Sequence, residues 1–125
     1  VVLGPAQDWQ IELHRAVAEV QRTCREATRP GATAAGLGSL AQQAIEDSGH
    51  VLVHGLGHGV GLQVHEDPFL MPTSTAGELT EAMCVTVEPG IYLPDSGGVR
   101  IEDTVVVTAE GNEPLTTSPR ELIEV

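Results

Sequence analysis

Lysine is absent from this 125-residue sequence, and aromatic residues nearly so, with one Trp, one Tyr and one Phe. The formal charge is -12, from 18 acidic and 6 basic residues. A field of that sign repels a phosphate backbone, which argues against DNA or RNA as a partner. No apolar run approaches the roughly 18 residues of a membrane span. The opening Val1-Val2-Leu3-Gly4-Pro5 is too short for the apolar part of a signal peptide and lacks its basic flank, so no membrane association is expected. Cysteine is scarce too. Cys24 and Cys84 each stand alone in an apolar pattern, which reads as two buried free thiols in a reducing, cytoplasmic setting. Hydrophobic content of 41% with a mean hydropathy of +0.01 implies one soluble globular domain, long enough to bury a core.

The first half carries helical period. Leu13, Ala16, Val17, Val20, Cys24 and Ala27 form an apolar stripe between Gln7 and Thr28, with Glu12, Arg15, Glu19 and Arg22 opposite and able to pair at i,i+3 spacing. Arg29-Pro30-Gly31 stops that helix. Thr33 is a suitable N-cap for a second, with Leu37, Leu40, Ala44 and Ile45 as its buried face and Gly49 as its end. His50 to His54 reads as a short strand. The second half is rich in Val, Ile, Thr and Tyr, and the pattern predicts strands over Met83 to Leu93 and Val99 to Thr108, joined by turn chemistry at Leu93-Pro-Asp-Ser-Gly-Gly98. Val105-Val106-Val107 is a continuous apolar run, expected to be covered on both faces, and Glu121 to Val125 reads as a last short strand. Two helices followed by strands define an α+β class.

What is abundant is histidine between glycines. The stretch HGLGHGVGLQVHEDP, residues 54–68, holds three of the five histidines. Gly55, Gly57, Gly59 and Gly61 argue against a helix. On an extended strand His54 and His58 share a face. His65 has the other parity, so a bulge or bend near Gly59–Gly61 is required to bring it to the same site. The alternatives are a site wall approached closely by backbone, or a polar loop that happens to carry histidine.

The hairpin holds a second oddity. If its turn is centred on Asp95, Glu88 and Glu102 face each other with Cβ atoms about 4.5–5.5 Å apart, where like charges repel. Such a pair needs a cation, a shared proton or solvent. A one-residue register shift would instead set Glu102 against Pro89. His58, Glu88 and Glu102 offer N and O ligands suited to manganese, cobalt or zinc.

Three segments carry a resemblance: His54-Gly-Leu-Gly-His58-Gly-Val-Gly-Leu-Gln-Val-His65-Glu66-Asp-Pro68, Val87-Glu88-Pro89-Gly90-Ile91-Tyr92, and Val99-Arg100-Ile101-Glu102-Asp103-Thr104. In these the chain resembles the creatinase-fold ("pita-bread") metallopeptidases, in particular the Xaa-Pro dipeptidase and aminopeptidase P branch, and the resemblance extends over the two helices. It implies hydrolysis of the peptide bond preceding proline at a site with two divalent ions, manganese foremost. It also implies that His58 and Glu88 bind one ion, that Glu102 bridges both, and that a metal-bridging hydroxide attacks the scissile carbonyl. By the same resemblance Glu88 shuttles a proton, His65 stabilises the oxyanion, His54 lines the proline side and Arg100 binds or orients the peptide substrate. His14 and His50 match no motif. The family's other two ligands are aspartates on strands ahead of the first helix, and only Val1 to Ala6 precede that helix here. Asp8 stands in the wrong context for that role. The chain therefore resembles the C-terminal half of a catalytic domain, expected to pair with its N-terminal half or as a homodimer and to be inactive by itself. Ala82 stands where the family usually has glycine. Methionine aminopeptidase, a metal-free creatinase-like hydrolase and a non-catalytic binding protein on the same scaffold remain alternatives, and dipeptidase is not separated from aminopeptidase.

Overall fold

The computed structural model describes residues 1–125. Helix α1 runs Asp8–Ala27 and helix α2 Ala34–Asp47. The apolar stripe of α1 buries Leu13, Val17, Val20 and Cys24, and the charged side pairs Arg22 with Glu19 and Glu26 in solvent. At its start the Gln7 N–H donates to Gln10 Oε1 at 2.8 Å. At its end the Thr28 hydroxyl donates to the Cys24 carbonyl at 2.9 Å, ahead of Gly31 at φ +81°. Thr33 caps α2 by accepting from the Gly36 N–H at 3.0 Å, and that side-chain bond satisfies one of the helix's free donors. Gly38 lets α2 lie directly against the chain at Met71, where a Cβ would fall 2.3 Å from the backbone. Neither helix is long and apolar enough to cross a membrane.

The strands are β1 (Gly57–Gly59), β2 (Glu66–Leu70), β3 (Cys84–Val87), β4 (Gly90–Leu93), β5 (Gly97–Arg100), β6 (Asp103–Val107) and β7 (Asn112–Pro114). A five-stranded antiparallel sheet has the order β2-β1-β3-β6-β7, and β4-β5 forms a separate two-stranded ribbon. Val85, Val87, Val105 and Val107 from the sheet join Leu13, Val17, Leu37 and Ile45 from the helices in one core. The α+β class predicted from the residue pattern is the class observed.

The two long strands expected in the second half are each broken in the middle. Glu88-Pro89 separates β3 from β4, and Ile101-Glu102 separates β5 from β6. Pro89 has no N–H to donate to the ladder, and the one link there, from the Ile101 N–H to the Pro89 carbonyl, is stretched to 3.4 Å. The register nonetheless survives the break. The pairs Val85↔Val105 and Val87↔Asp103 in the sheet and Gly90↔Arg100 and Leu93↔Gly97 in the ribbon are all symmetric about Asp95, which turns the chain with φ +61°.

Three other expectations are corrected. His50 to His54 is not a strand; Val51 and Val53 are 69% and 66% exposed, with no neighbouring strand to bond, and pairing begins only at Gly57. Val106 is half-buried between buried Val105 and Val107, because the helices cover only one face of the sheet. Glu121 to Val125 forms only an isolated parallel bridge, Val2 with Glu124.

The segment after β7 is fastened by Asp103. Its buried carboxylate accepts from Gln21 Nε2 at 2.7 Å, Thr116 Oγ1 at 2.6 Å and Arg120 Nε and Nη2 at 2.6 and 2.9 Å. Burial by itself pushes this carboxyl up, but the hydrogen bonds from Arg120, Thr116 and Gln21, with the Arg120 charge, hold it below the ordinary Asp value. His14 belongs to the same region, its Nε2 lying 2.9 Å from the Arg120 carbonyl, and so has a structural place.

Candidate metal centre

Strand β1 is three residues long and irregular. Its pairing with β2 shifts register between Gly57 and Gly59, and the chain then bends through residues 61–65 before β2. That bend brings His65 back over His58, the two rings meeting edge to face with centroids 4.6 Å apart. The sequence required such a bend to unite histidines of opposite parity. His54, His58, His65, Glu88 and Arg100 all line one open cavity of about 230 Å³, with Phe69 and Met71 as its apolar part.

Within it, His58 Nε2 lies 3.2 Å from Glu88 Oε1, both side chains largely buried. His58 Nδ1 lies 2.8 Å from the Gly59 carbonyl, which can only accept, so Nδ1 carries a proton. In a neutral ring Nε2 then presents a lone pair to a carboxylate oxygen. Two acceptors at that distance require a proton or a cation between them. An imidazole whose far nitrogen is tied to a carbonyl, beside a carboxylate, is a donor set that divalent manganese, cobalt or zinc accepts. These two residues therefore fit a metal ion, and they leave most of its coordination positions to other ligands. Arg100 Nε approaches the second oxygen, Glu88 Oε2, at 3.8 Å from a half-exposed position.

His54 is held at both ring nitrogens. Nδ1 lies 2.7 Å from the Gly55 carbonyl and Nε2 3.0 Å from the Tyr92 hydroxyl, so Nδ1–H donates to the carbonyl and Nε2 accepts from the tyrosine hydroxyl. Glu102 does not join this group. It is exposed and lines a different cavity, of about 330 Å³, with Trp9, His14 and Arg120. No three of the His, Cys, Asp and Glu side chains converge closely enough to cage an ion. In the preserved register Glu102 stands opposite Glu88, but both fall in the break of the ladder, where no strand pairing holds their side chains to one face.

Sequence reasoning missed Thr86. Its hydroxyl accepts from the His58 N–H at 3.0 Å and donates to Glu88 Oε1 at 2.9 Å. The signal was available, since two residues before Glu88 on a strand means the same face. Gly57 makes this approach possible: a Cβ there would stand 2.0 Å from the Thr86 carbonyl oxygen. Tyr92 was likewise quoted in a motif without a role, and its contact with His54 spans 38 residues of sequence.

Two helices laid on antiparallel strands, with histidines and a carboxylate gathered at a glycine-rich bend, match the C-terminal half of the pita-bread architecture. Residues 1–109 match the model of metallopeptidase family M24, and the chain belongs to that family. It is 44% identical to the Xaa-Pro dipeptidase of Pyrococcus furiosus over 125 residues, which is 98% of this chain and 36% of that protein. Among solved structures, the prolidase from Pyrococcus horikoshii OT3 superposes with a TM-score of 0.93 at 44% identity, over 98% of this chain and 36% of that one. The X-Pro aminopeptidase from Thermotoga maritima MSB8 gives 0.94 at 39% identity, over 100% of this chain and 36% of that one. The chain thus spans about a third of the length of the relatives it matches.

Proposed function

We propose that residues 1–125 form the C-terminal half of a catalytic domain that hydrolyses the peptide bond preceding proline, as an Xaa-Pro dipeptidase or aminopeptidase. The observation that carries this reading is the facing pair of His58 Nε2 and Glu88 Oε1, 3.2 Å apart, in a cavity shared with His54, His65 and Arg100. The kinship with Xaa-Pro dipeptidases supports the choice of bond. Two divalent ions, manganese foremost, are proposed as the cofactor, held by His58 and Glu88 together with two aspartates of an upstream half; Glu102, exposed on another cavity in this chain, would have to turn inward to join them. When bound, they supply Lewis acidity toward the scissile carbonyl and acidify the attacking water.

The chain's own residues do the rest. Glu88 takes the proton of the attacking water and returns it to the leaving amine. His65 is exposed at the cavity edge and donates a ring N–H to the developing oxyanion. His54, fixed in its tautomer by Gly55 and Tyr92, lines the proline side, beside apolar Phe69 and Met71. Arg100, its side chain 53% exposed, offers its fork to a substrate carboxylate. The two free thiols suit a reducing cytoplasm, and a homodimer is the proposed assembly.

The test is an assay of the full-length protein with manganese on Leu-Pro, Ala-Pro, Leu-Ala and Met-Ala. Selective cleavage of the two proline peptides is expected. Preference for Met-Ala would favour a methionine aminopeptidase, and metal uptake without any hydrolysis would favour a binding protein. Residues 1–125 by themselves are expected to bind manganese weakly and to cleave none of the four.

A further inference from the structure

We infer that Thr86 is a positioning residue that presets the His58–Glu88 pair for its cation. The inference rests on the reading of that pair as metal ligands. Thr86 is 3% exposed, and its single hydroxyl is used twice: it accepts the His58 backbone N–H at 3.0 Å and lies 2.9 Å from Glu88 Oε1. Its proton has two acceptors in reach, Glu88 Oε1 and the His58 carbonyl at 3.5 Å. The carboxylate is both nearer and charged, so the proton goes there. The polarity of the chain is thereby fixed, from the His58 N–H through the Thr86 hydroxyl to Glu88 Oε1.

Two consequences follow for the ligands. The backbone of β1 at His58 is tied to the side chain of β3, which sets the distance between the imidazole and the carboxylate. One lone pair of Oε1 is taken by threonine, so the carboxylate cannot rotate freely about its last torsion. A carboxylate held in this way loses less rotational freedom on binding a cation than a free one. A serine at this place supplies the same donor and acceptor, whereas valine has the same shape and neither.

The experiment measures manganese affinity by calorimetry on the full-length protein carrying Thr86→Val, Thr86→Ser or His58→Ala, with thermal unfolding recorded for each. Thr86→Val is expected to weaken binding by about 10- to 100-fold, the usual effect of removing a group that orients a ligand, and Thr86→Ser to restore most of it. Should the valine variant not fold, Thr86→Ala, which sets no methyl against the carboxylate, takes its place with the same expected loss. Unchanged affinity in the folded valine or alanine variant, alongside lost affinity in His58→Ala, overturns the role of Thr86 alone. Unchanged affinity in His58→Ala overturns the metal pair and this inference with it.

Discussion

Asp103 and Glu88 are carboxylates at the meeting point of β3 and β6, since Asp103 pairs with Val87, the last residue of β3, and Glu88 follows directly. Successive residues of a strand face opposite ways, so one acid points toward the helices and the other toward the histidines. Asp103 receives four donors, from Gln21, Thr116 and Arg120. Glu88 receives one short bond, from Thr86, a distant guanidinium at 3.8 Å and an imidazole nitrogen that presents a lone pair when neutral. Burial does not separate them in kind, because both are largely removed from water. What separates them is completion. The chain satisfies Asp103 by itself and leaves Glu88 needing something the chain does not supply, which is the difference between a fastening and a site.

The comparison is broken most directly at the incomplete end. In the full-length protein, His58→Ala should lower kcat/KM for Leu-Pro by about 10³-fold or more, equivalent to ~4 kcal/mol of transition-state stabilisation, while its unfolding midpoint in urea changes little. At the completed end the pattern should invert. Asp103→Ala strands Arg120 and buried Gln21, and should cost about 2–4 kcal/mol of stability in a urea titration, with the lower part of that range favoured by the partial exposure of Arg120.

A smaller effect should appear in acid. The folded Asp103 carboxyl is held below its ordinary value, so it contributes stability that is fully present above the unfolded value of about 3.9. That contribution is lost as pH falls through the depressed folded value. Stability measured from pH 5 downward should therefore fall less steeply in Asp103→Asn than in the parent. The smallest effect belongs to Arg22, which pairs with Glu19 and Glu26 in open solvent. Arg22→Ala should leave the urea midpoint within measurement error, since exposed pairs are screened and cost side-chain freedom to form.

Much of the fold was legible because its signals are local. The stripe Leu13, Val17, Val20 and Cys24 repeats within one helix, Thr33 precedes its own helix, and the symmetry of the hairpin about Asp95 lies within a turn. The bend after Gly59 was legible by parity alone. The break at Pro89 was visible in the residue itself, yet the long Val- and Ile-rich pattern masked it. The Asp103 fastening left no such trace, for its partners Gln21 and Arg120 lie 82 and 17 residues away and neither position is periodic with it. At the site the motifs pointed to His54, His58, His65, Glu88 and Arg100, which one cavity unites, and to Glu102, which lies on another. Thr86 was overlooked because a threonine in a strand is ordinary by propensity, and only its two contacts distinguish it.

The symmetry about Asp95 also bears on how the chain can vary. Exposed turns usually absorb an added residue without consequence. Here the three residues Pro94, Asp95 and Ser96 are all that separate paired Leu93 from paired Gly97. An insertion must either be taken up by a different turn or slide one strand past the other, and a slide by one reverses which face each side chain occupies. The length of a loop far out on the surface is thereby tied to whether Arg100 and Glu102 keep their places relative to Glu88. In engineering terms, this tip is a poor choice for grafting a tag or epitope, while the sequence at its three positions can be changed far more freely than their number.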